Sequence, residues 1–154
     1  MSSSKEGPFE LGTDGPKSIL VGVDGSTTAT RAGWYAAGLA RRQGAALTAV
    51  FVAPVAAGLG IAAGAALEVA VRESAEQTAQ EMRRTAAEFS REFGLSITFI
   101  AAHGDPFGEI TRIAEEIQAD AIVVGASAHA GHRLIGSLAV RLVRAARWPV
   151  TVVP

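Results

Sequence analysis

The chain has no cysteine among its 154 residues, and aromatic residues make up only 6% of it. Without thiols it can form no disulfide, no cysteine nucleophile and no cysteine-ligated zinc or iron–sulfur site. Because aromatic rings are scarce, the core must be made mainly of Ala, Val, Leu and Ile. No apolar stretch is long enough to cross a membrane, and the polar N-terminus lacks the apolar segment of a signal peptide. We therefore expect a soluble, cytoplasmic chain with a single domain over residues 17–154.

The charges nearly cancel, at a net −1, but they are unevenly distributed along the sequence. All fifteen acidic residues lie at or before Asp120, and the chain beyond it carries only basic charges. The near-neutral total argues against general electrostatic binding to nucleic acid. The basic C-terminal segment has two interpretations, an anion site or solvated arginines that pair with acids elsewhere. Its arginines are Arg133, Arg141, Arg144 and Arg147.

Short apolar runs alternate with helical patterns from residue 17 to the end of the chain. The apolar runs predict strands at 19–23, 47–52, 96–101, 121–124 and 149–153. The intervening patterns predict helices that end near Gln43, Phe93, Gln118 and Ala146, the first capped by Ser26, Thr27 or Thr28. Residues 1–16 are predicted to form a flexible tail, and the Ala/Gly-rich residues 56–66 a mobile loop. Apolar strands joined by helical crossovers indicate an α/β fold with a parallel sheet and helices on both faces.

Open parallel sheets bind ligands beyond the carboxyl ends of their strands, where the strand order reverses. The segment 125–137 follows such a strand and combines Gly125, Gly131 and Arg133 with the Gly136-Ser137 start of a helix. Glycines admit a ligand close to the backbone, and the free N–H groups at a helix start favour an anion. Arg133 would add a charged donor. The pattern indicates a phosphate site, although an ordinary loop followed by a helix cap would use the same residues.

Five short motifs follow one another along the chain: Asp24-Gly25-Ser26, Gly44-Ala45, Gly104-Asp105-Pro106, the segment 120–125 leading to Gly136-Ser137, and the C-terminal 149–153. In this order they resemble the motifs of the universal stress protein family, over about residues 17–154. The resemblance implies a doubly wound five-stranded parallel sheet of order 3-2-1-4-5 and a homodimer. In the nucleotide-binding branch of that family, it also implies bound ATP or another adenine nucleotide, with or without Mg²⁺.

The resemblance further implies which residues would contact the nucleotide. Val23 and Asp24 would border the ribose and adenine, and Val52 would meet the adenine through its backbone. The ribose and phosphates would contact Gly125, Ala126, Ser127, Gly136, Ser137 and Leu138. The chain departs from the family pattern because Ala128 replaces the middle glycine of the phosphate loop and the loop is two residues shorter. Gly131 is the candidate to restore its flexibility, and a family member that has lost the nucleotide and serves as a dimeric interaction scaffold is the alternative.

The same residues do not form a complete catalytic site. Ser127 begins like a nucleophile elbow, but no acidic residue follows it to complete a triad in the usual order. His103 is interpreted as a turn residue, and His129 and His132 are too few to form a metal site without cysteines. We therefore expect no enzyme activity beyond slow, incidental ATP hydrolysis.

The predicted last strand would lie at the edge of the sheet, where its apolar residues Val150, Val152 and Val153 carry no charge. Because such edges are usually charged or covered, we expect two copies of the chain to pair through it. The charged helix at 66–93 is interpreted as a solvated face, with a partner-binding surface as the alternative. The expected function is a nucleotide sensor in a stress response. Occupancy of the site would stiffen residues 125–137 and change what the dimer presents to an unidentified protein partner.

Overall fold

The computed structural model describes residues 15–55, 64–126 and 136–154, in which strands and helices alternate. The elements are β1 (Ser18–Val23), α1 (Thr27–Gln43), β2 (Ala46–Ala53), α2 (Gly64–Phe93), β3 (Ile97–His103), α3 (Pro106–Glu116), β4 (Ala121–Gly125), α4 (Ser137–Ala145) and β5 (Val150–Val153). Every strand and helix that the periodicity predicts is present, in the predicted order.

The strands form one sheet in the order β3-β2-β1-β4-β5, and every pair is parallel. The predicted topology is therefore confirmed. From β1 the chain moves outward through β2 to β3, then returns to the other side of β1 to add β4 and β5. Because crossovers between parallel strands are right-handed, this reversal places α1 and α2 on one face and α3 and α4 on the other.

An apolar layer fills the space on each face of the sheet. Alternation along β1 sends Ile19 and Val21 into the layer beneath α1 and Leu20 into the layer beneath α3 and α4. The inner face of α1 is made of alanines, of which Ala32, Ala36 and Ala40 are fully buried. These short side chains let α1 lie close to the sheet. The result is an aliphatic core, as the composition predicts.

Capping residues set the ends of the helices that begin near the carboxyl edge of the sheet. The Oγ of Ser26 accepts a hydrogen bond from the Ala29 N–H at 3.2 Å, so Ser26 is the cap among the three predicted candidates. The same helix ends at Gly44, whose φ of 62° is a left-handed conformation that favours glycine. At α3, Asp105 accepts from the Gly108 N–H at 2.9 Å.

The structure corrects three predicted boundaries. Helix α2 begins at Gly64, so the loop predicted for 56–66 is too long, and residues 56–63 lie outside the described ranges. His103 belongs to β3 and not to a turn, because the pairing with β2 continues to the Ala53–His103 pair. Helix α3 ends at Glu116, two residues early, because Gln118 has a left-handed φ of 52° that a helix cannot continue through.

Residues 1–14 also lie outside the described ranges, so the flexible tail stays a prediction. Within those ranges, no helix combines the length and the apolar character needed to cross a membrane.

Candidate functional site

A cleft of about 220 Å³ opens at the carboxyl edge of the sheet, between the ends of β1 and β4. This is the point at which the strand order reverses and at which parallel sheets bind ligands. The ends of β1, β2 and β4 contribute its floor, and the starts of α1, α3 and α4 contribute its walls. The topology alone therefore brings together segments that are more than a hundred residues apart in sequence.

Eight of the eleven residues proposed from the sequence lie in the described ranges, and all eight line this cleft. They are Val23, Asp24, Val52, Gly125, Ala126, Gly136, Ser137 and Leu138. The other three, Ser127, Gly131 and Arg133, lie outside the described residues, as do Ala128, His129 and His132. Contact between any of these residues and a nucleotide stays a prediction.

The floor of the cleft is apolar. Val52 is half-buried and packs with Val50 and Val124 in the layer beneath α3 and α4. Val23 also borders the cleft, but its side chain packs in the opposite layer, beneath α1. Gly22 adds no side chain to this floor, and a Cβ there would lie only 3.2 Å from Cδ1 of Ile110. A flat, apolar surface of this kind is suited to the face of a heterocyclic ring.

Asp24 stands at the mouth of the cleft and has a structural role as well as a proposed binding role. Its Oδ1 accepts a hydrogen bond from the Ser26 N–H at 2.9 Å, which fixes the turn into α1. Between them, Gly25 has a φ of 84°, a conformation that favours glycine. The second carboxylate oxygen has no partner among the described residues, so it is free to accept from a hydroxyl in the cleft.

The start of α4 differs from the starts of α1 and α3. Its N-cap, Gly136, has no side chain to accept a hydrogen bond, whereas Ser26 and Asp105 cap the other two helices. The first N–H groups of α4, beginning at Ser137 and Leu138, therefore have no side-chain cap, and both residues line the cleft. The positive end of the helix dipole adds to these donors. This helix start can bind an anion.

Gly125 and Ala126 have packing roles that the sequence did not reveal. A Cβ on Gly125 would lie 2.5 Å from the carbonyl carbon of Thr28, so the approach of β4 to α1 itself requires a glycine. The Ala126 N–H donates to the carbonyl of Val153 at 2.7 Å and is not available to a phosphate. Both residues line the cleft, but neither is explained by phosphate binding alone.

Two arginines of the basic C-terminal segment, Arg141 and Arg147, form ion pairs with acidic residues, as the pairing interpretation predicts. Arg141 donates two hydrogen bonds to the carboxylate of Asp105, at 2.9 and 3.1 Å, and its guanidinium lies 4.4 Å from the centre of the Phe107 ring. The Arg141 hydrogen bonds, with that of the Gly108 amide, lower the pKa of the Asp105 carboxyl. Arg147 pairs with Glu115. Neither cation is free to form the predicted anion site.

Several lining residues were not proposed from the sequence. The hydroxyls of Ser26 and Thr28 lie 3.3 Å apart on the lining, and Thr28 was considered only as a helix cap. Pro106 and Ile110 come from α3, which begins beside the cleft on the other face of the sheet. The motif Gly104-Asp105-Pro106 was a usable signal, because it also follows the carboxyl end of a strand.

Within the described residues, no three His, Asp or Glu side chains are grouped as metal ligands. Asp24 is the one carboxylate on the described lining of the cleft. His103 lies instead on a neighbouring cavity that it shares with Glu73 and Glu76 of α2. The described donor set does not fit a protein-held Mg²⁺, so any Mg²⁺ would arrive with the phosphates of a ligand.

Comparison with known proteins gives a consistent result. The universal stress protein family matches residues 16–154. A universal stress protein of Methanocaldococcus jannaschii is 31% identical over 139 residues, which cover 89% of this chain and 81% of that protein. The solved structure of the universal stress protein UspA from Lactobacillus plantarum superposes with a TM-score of 0.79 at 28% identity. The match covers 90% of this chain and 97% of that one.

More distant structures share the fold and include nucleotide complexes. A universal stress protein in complex with cAMP has a TM-score of 0.67 at 22% identity, with 90% of this chain and 97% of that chain covered. The Archaeoglobus fulgidus universal stress protein in complex with dAMP has a TM-score of 0.61 at 22% identity, with 88% and 96% covered. With the family match over residues 16–154 and the confirmed strand order, this chain belongs to the universal stress protein family.

Proposed function

We propose that the cleft binds an adenine mononucleotide and that the protein acts as a regulatory nucleotide sensor. The observation that carries the proposal is the start of α4, which has no side-chain cap and faces an apolar floor across the cleft. Relatives with the same fold bind cAMP and dAMP, which supports the choice of adenine. The cleft volume of about 220 Å³ lies below the range of about 300–1,000 Å³ usual for ligand pockets, so AMP or cyclic AMP suits it better than the larger ATP.

In the proposed complex each part of the nucleotide meets a matching group. The adenine lies on Val52 and is bordered by Val23, and the ribose hydroxyls donate to the second carboxylate oxygen of Asp24. The phosphate accepts from the N–H groups of Ser137 and Leu138 at the start of α4. We assign a regulatory role because Asp24 is the one carboxylate on the described lining and one of its oxygens is already engaged in the turn into α1. A protein partner would bind the nucleotide-bound form and the nucleotide-free form with different affinities.

The substitution Ser137→Glu distinguishes a loss of phosphate binding from a loss of folding stability. A carboxylate at the first position of α4 repels a phosphate, but it interacts favourably with the helix dipole by about 0.3–1 kcal/mol. We therefore expect the nucleotide-free variant to be at least as stable as the original chain and to lose AMP binding. Ser137→Ala, which adds no charge, is the matched control and should retain most of the binding.

Thermal unfolding measures both effects. For the nucleotide-free chain, AMP or cyclic AMP at about a hundred times its dissociation constant should add roughly 2.7 kcal/mol, a rise of about 5–10 °C in Tm. ATP with Mg²⁺ is compared in the same series. An equal AMP-dependent rise in Ser137→Glu would refute the phosphate position.

The nucleotide-free scaffold remains the second candidate, because the packing of Gly125 and the engaged N–H of Ala126 explain two cleft residues without a ligand. If no nucleotide raises the Tm of a preparation purified empty, the scaffold is the better account.

We also propose that two copies pair through β5. Among the described residues, β5 is hydrogen-bonded to β4 alone and its residues are half-buried. Arg31 of α1 donates to the carbonyl of Pro154 at 3.3 Å, so Tyr35, one turn further along, lies on the β5 side of α1. Across the sheet, Val143 of α4 points away from Arg141 and its α3 partner Asp105, and it is 55% exposed. Exposed apolar groups therefore flank the edge strand on both faces, as a paired edge requires.

A further inference from the structure

Helix α2 leaves a groove between itself and α1. None of its 30 residues is buried, whereas α1 buries five alanines. A half-buried stripe that includes Met82, Ala86 and Phe89 faces the sheet, but it does not close the space beside α1. The resulting α1–α2 groove has a volume of about 300 Å³. Its lining is mostly apolar and includes Phe99 of the sheet, Gly33 and Trp34 of α1, and Met82 and Phe89 of α2.

Gly33 shows that this space is open. A Cβ built on Gly33 meets no atom within 4 Å outside its own helix backbone, although the residue faces the groove. Ala37, one turn later, is also small. On the opposite wall, Met82 has an unbranched side chain that adapts to the shape of a ligand. The groove therefore has room that no described side chain fills.

Aromatic rings form one end of the groove. Trp34 is 57% exposed, and its ring stands edge-on to that of Phe89, with centroids 4.3 Å apart and an interplanar angle of 71°. The exposed indole of Trp34 lines the groove and adds apolar, aromatic surface to it. This geometry can stack against an aromatic ligand or hold a cation over the indole.

Glu81 gives the groove its electrostatic character. It is the one titratable side chain on the described lining, and its carboxylate makes no ion pair within the described part of the chain. The guanidinium of Arg83 lies 5.3 Å from the centre of the Phe99 ring, but Arg83 is not among the described lining residues. An apolar groove with a free carboxylate at its rim complements an apolar molecule with a positive charge.

We propose that the α1–α2 groove is a second ligand site, which takes a two-ring aromatic molecule with a protonated amine. An apolar cavity of about 150 Å³ accommodates benzene, so about twice that volume accommodates two fused rings. The rings lie between Met82, Phe99 and Trp34, and the ammonium group meets Glu81. The site is separate from the nucleotide cleft, with which it shares only Val23 and Ala29 among the described lining residues. The proposal does not depend on nucleotide binding.

Isothermal titration calorimetry with 1-naphthylmethylamine tests the proposal, with 1-naphthylacetic acid as the oppositely charged probe. We expect the amine to bind with a Kd on the order of 0.1–1 mM, typical of a ligand of this size. The acid should bind at least about threefold more weakly, because one exposed charge contributes modestly. Glu81→Gln should remove this difference. No binding of the amine at a few times the expected Kd, or equal affinity for the acid, would overturn the proposal.

Gly33→Leu locates the binding, because its side chain fits the open space and fills the groove. Gly38→Leu, on the same helix but not among the described lining residues, is the matched control, since its Cβ meets only the end of the Arg42 side chain at 3.4 Å. Both variants should fold with unchanged or higher Tm, because leucine is a better helix former than glycine. Only Gly33→Leu should abolish amine binding. Unchanged amine binding in Gly33→Leu would contradict the site. If the original chain forms an oligomer that Gly33→Leu dissociates and Gly38→Leu does not, the occupant of the groove is a second copy of the chain, which also contradicts the proposal.

Discussion

Single side chains determine how the helices meet around the cleft, and Asp105 does so for two of them. Its carboxylate caps α3 through the Gly108 N–H and accepts two hydrogen bonds from Arg141 of α4. It therefore joins the start of α3 to the middle of α4, two helices that line the cleft. Both interactions favour the ionised carboxylate, and the one with Arg141 is the larger cause of its lowered pKa.

The lowered pKa of Asp105 predicts a specific acid sensitivity. Because the folded pKa lies below the unfolded one, the stabilisation is present above the unfolded value of about 3.9. It is lost as the pH falls through the folded pKa. Asp105→Asn should therefore weaken the loss of stability between about pH 5 and pH 2, while lowering stability at pH 7. Urea unfolding across this range measures both effects.

Arg141→Gln is the control for the acid sensitivity, because it keeps the helix cap and removes the ion pair. It should show an intermediate pH dependence. Glu109, whose pKa is lowered mainly by its hydrogen bond with Arg112, contributes with the same sign but is unchanged in both variants. Superimposable pH profiles for the original chain and Asp105→Asn would contradict the assignment.

Gly125→Ala tests whether packing requires the glycine. Its Cβ would lie 2.5–2.7 Å from backbone atoms of Thr28 and Ala29, which cannot move without shifting α1. We expect a loss of about 1–3 kcal/mol in the free energy of unfolding, typical of overpacking. Gly33→Ala, where a Cβ has open space, should instead stabilise the chain by about 0.4–1 kcal/mol. Equal stabilities for the two variants in urea unfolding would show that the strand has room to move.

At the scale of elements, the two helices on one face of the sheet are attached very differently. Helix α1 buries five alanines, but the longer α2 buries no residue. Its exposed surface carries the Glu68–Arg72 ion pair at 3.3 Å, which agrees with the interpretation of a solvated charged face. A protein partner for this face stays a prediction.

This difference predicts that α2 opens locally before α1 and the sheet do. Amide hydrogens in its first half should exchange faster than those at the centre of α1, because few buried contacts oppose their exposure. Hydrogen exchange followed by mass spectrometry measures the contrast. The 1-naphthylmethylamine probe should slow exchange near Met82. Equal protection of α1 and α2 would show that α2 is held by more than the described contacts.

At the scale of the whole molecule, the edge strand determines how copies of the chain associate. The double variant Tyr35→Lys, Val143→Lys places a charge on each side of β5 and leaves its backbone unchanged. In a dimer paired through β5, the two lysines of one copy would lie close to those of the other and repel them. We therefore expect the variant to sediment as a monomer and the original chain as a dimer. Leu67→Lys, at a similarly exposed position on α2, is the matched control and should remain dimeric. A monomeric original chain would refute pairing through β5.

Much of this architecture is predictable from the sequence because the signals are local. Each strand is a short apolar run, α1 and α3 begin at the capping residues Ser26 and Asp105, and the alternation of strands and helices implies parallel pairing. The strand order came from the family resemblance, and it placed the eight described site residues around one cleft. The errors lie at boundaries such as His103, where pairing with a neighbouring strand extends an element beyond its own sequence pattern.

The sequence by itself determined the nine elements and the aliphatic core, because periodicity and capping act over a few residues. Only the tertiary structure decided the roles of particular groups, because contacts between distant segments leave no local pattern. Gly125 is required by the approach of α1, the Ala126 N–H is taken by Val153, and Arg141 is paired with Asp105. The α1–α2 groove belongs to the same class, since its open space depends on how far apart two helices lie on the sheet.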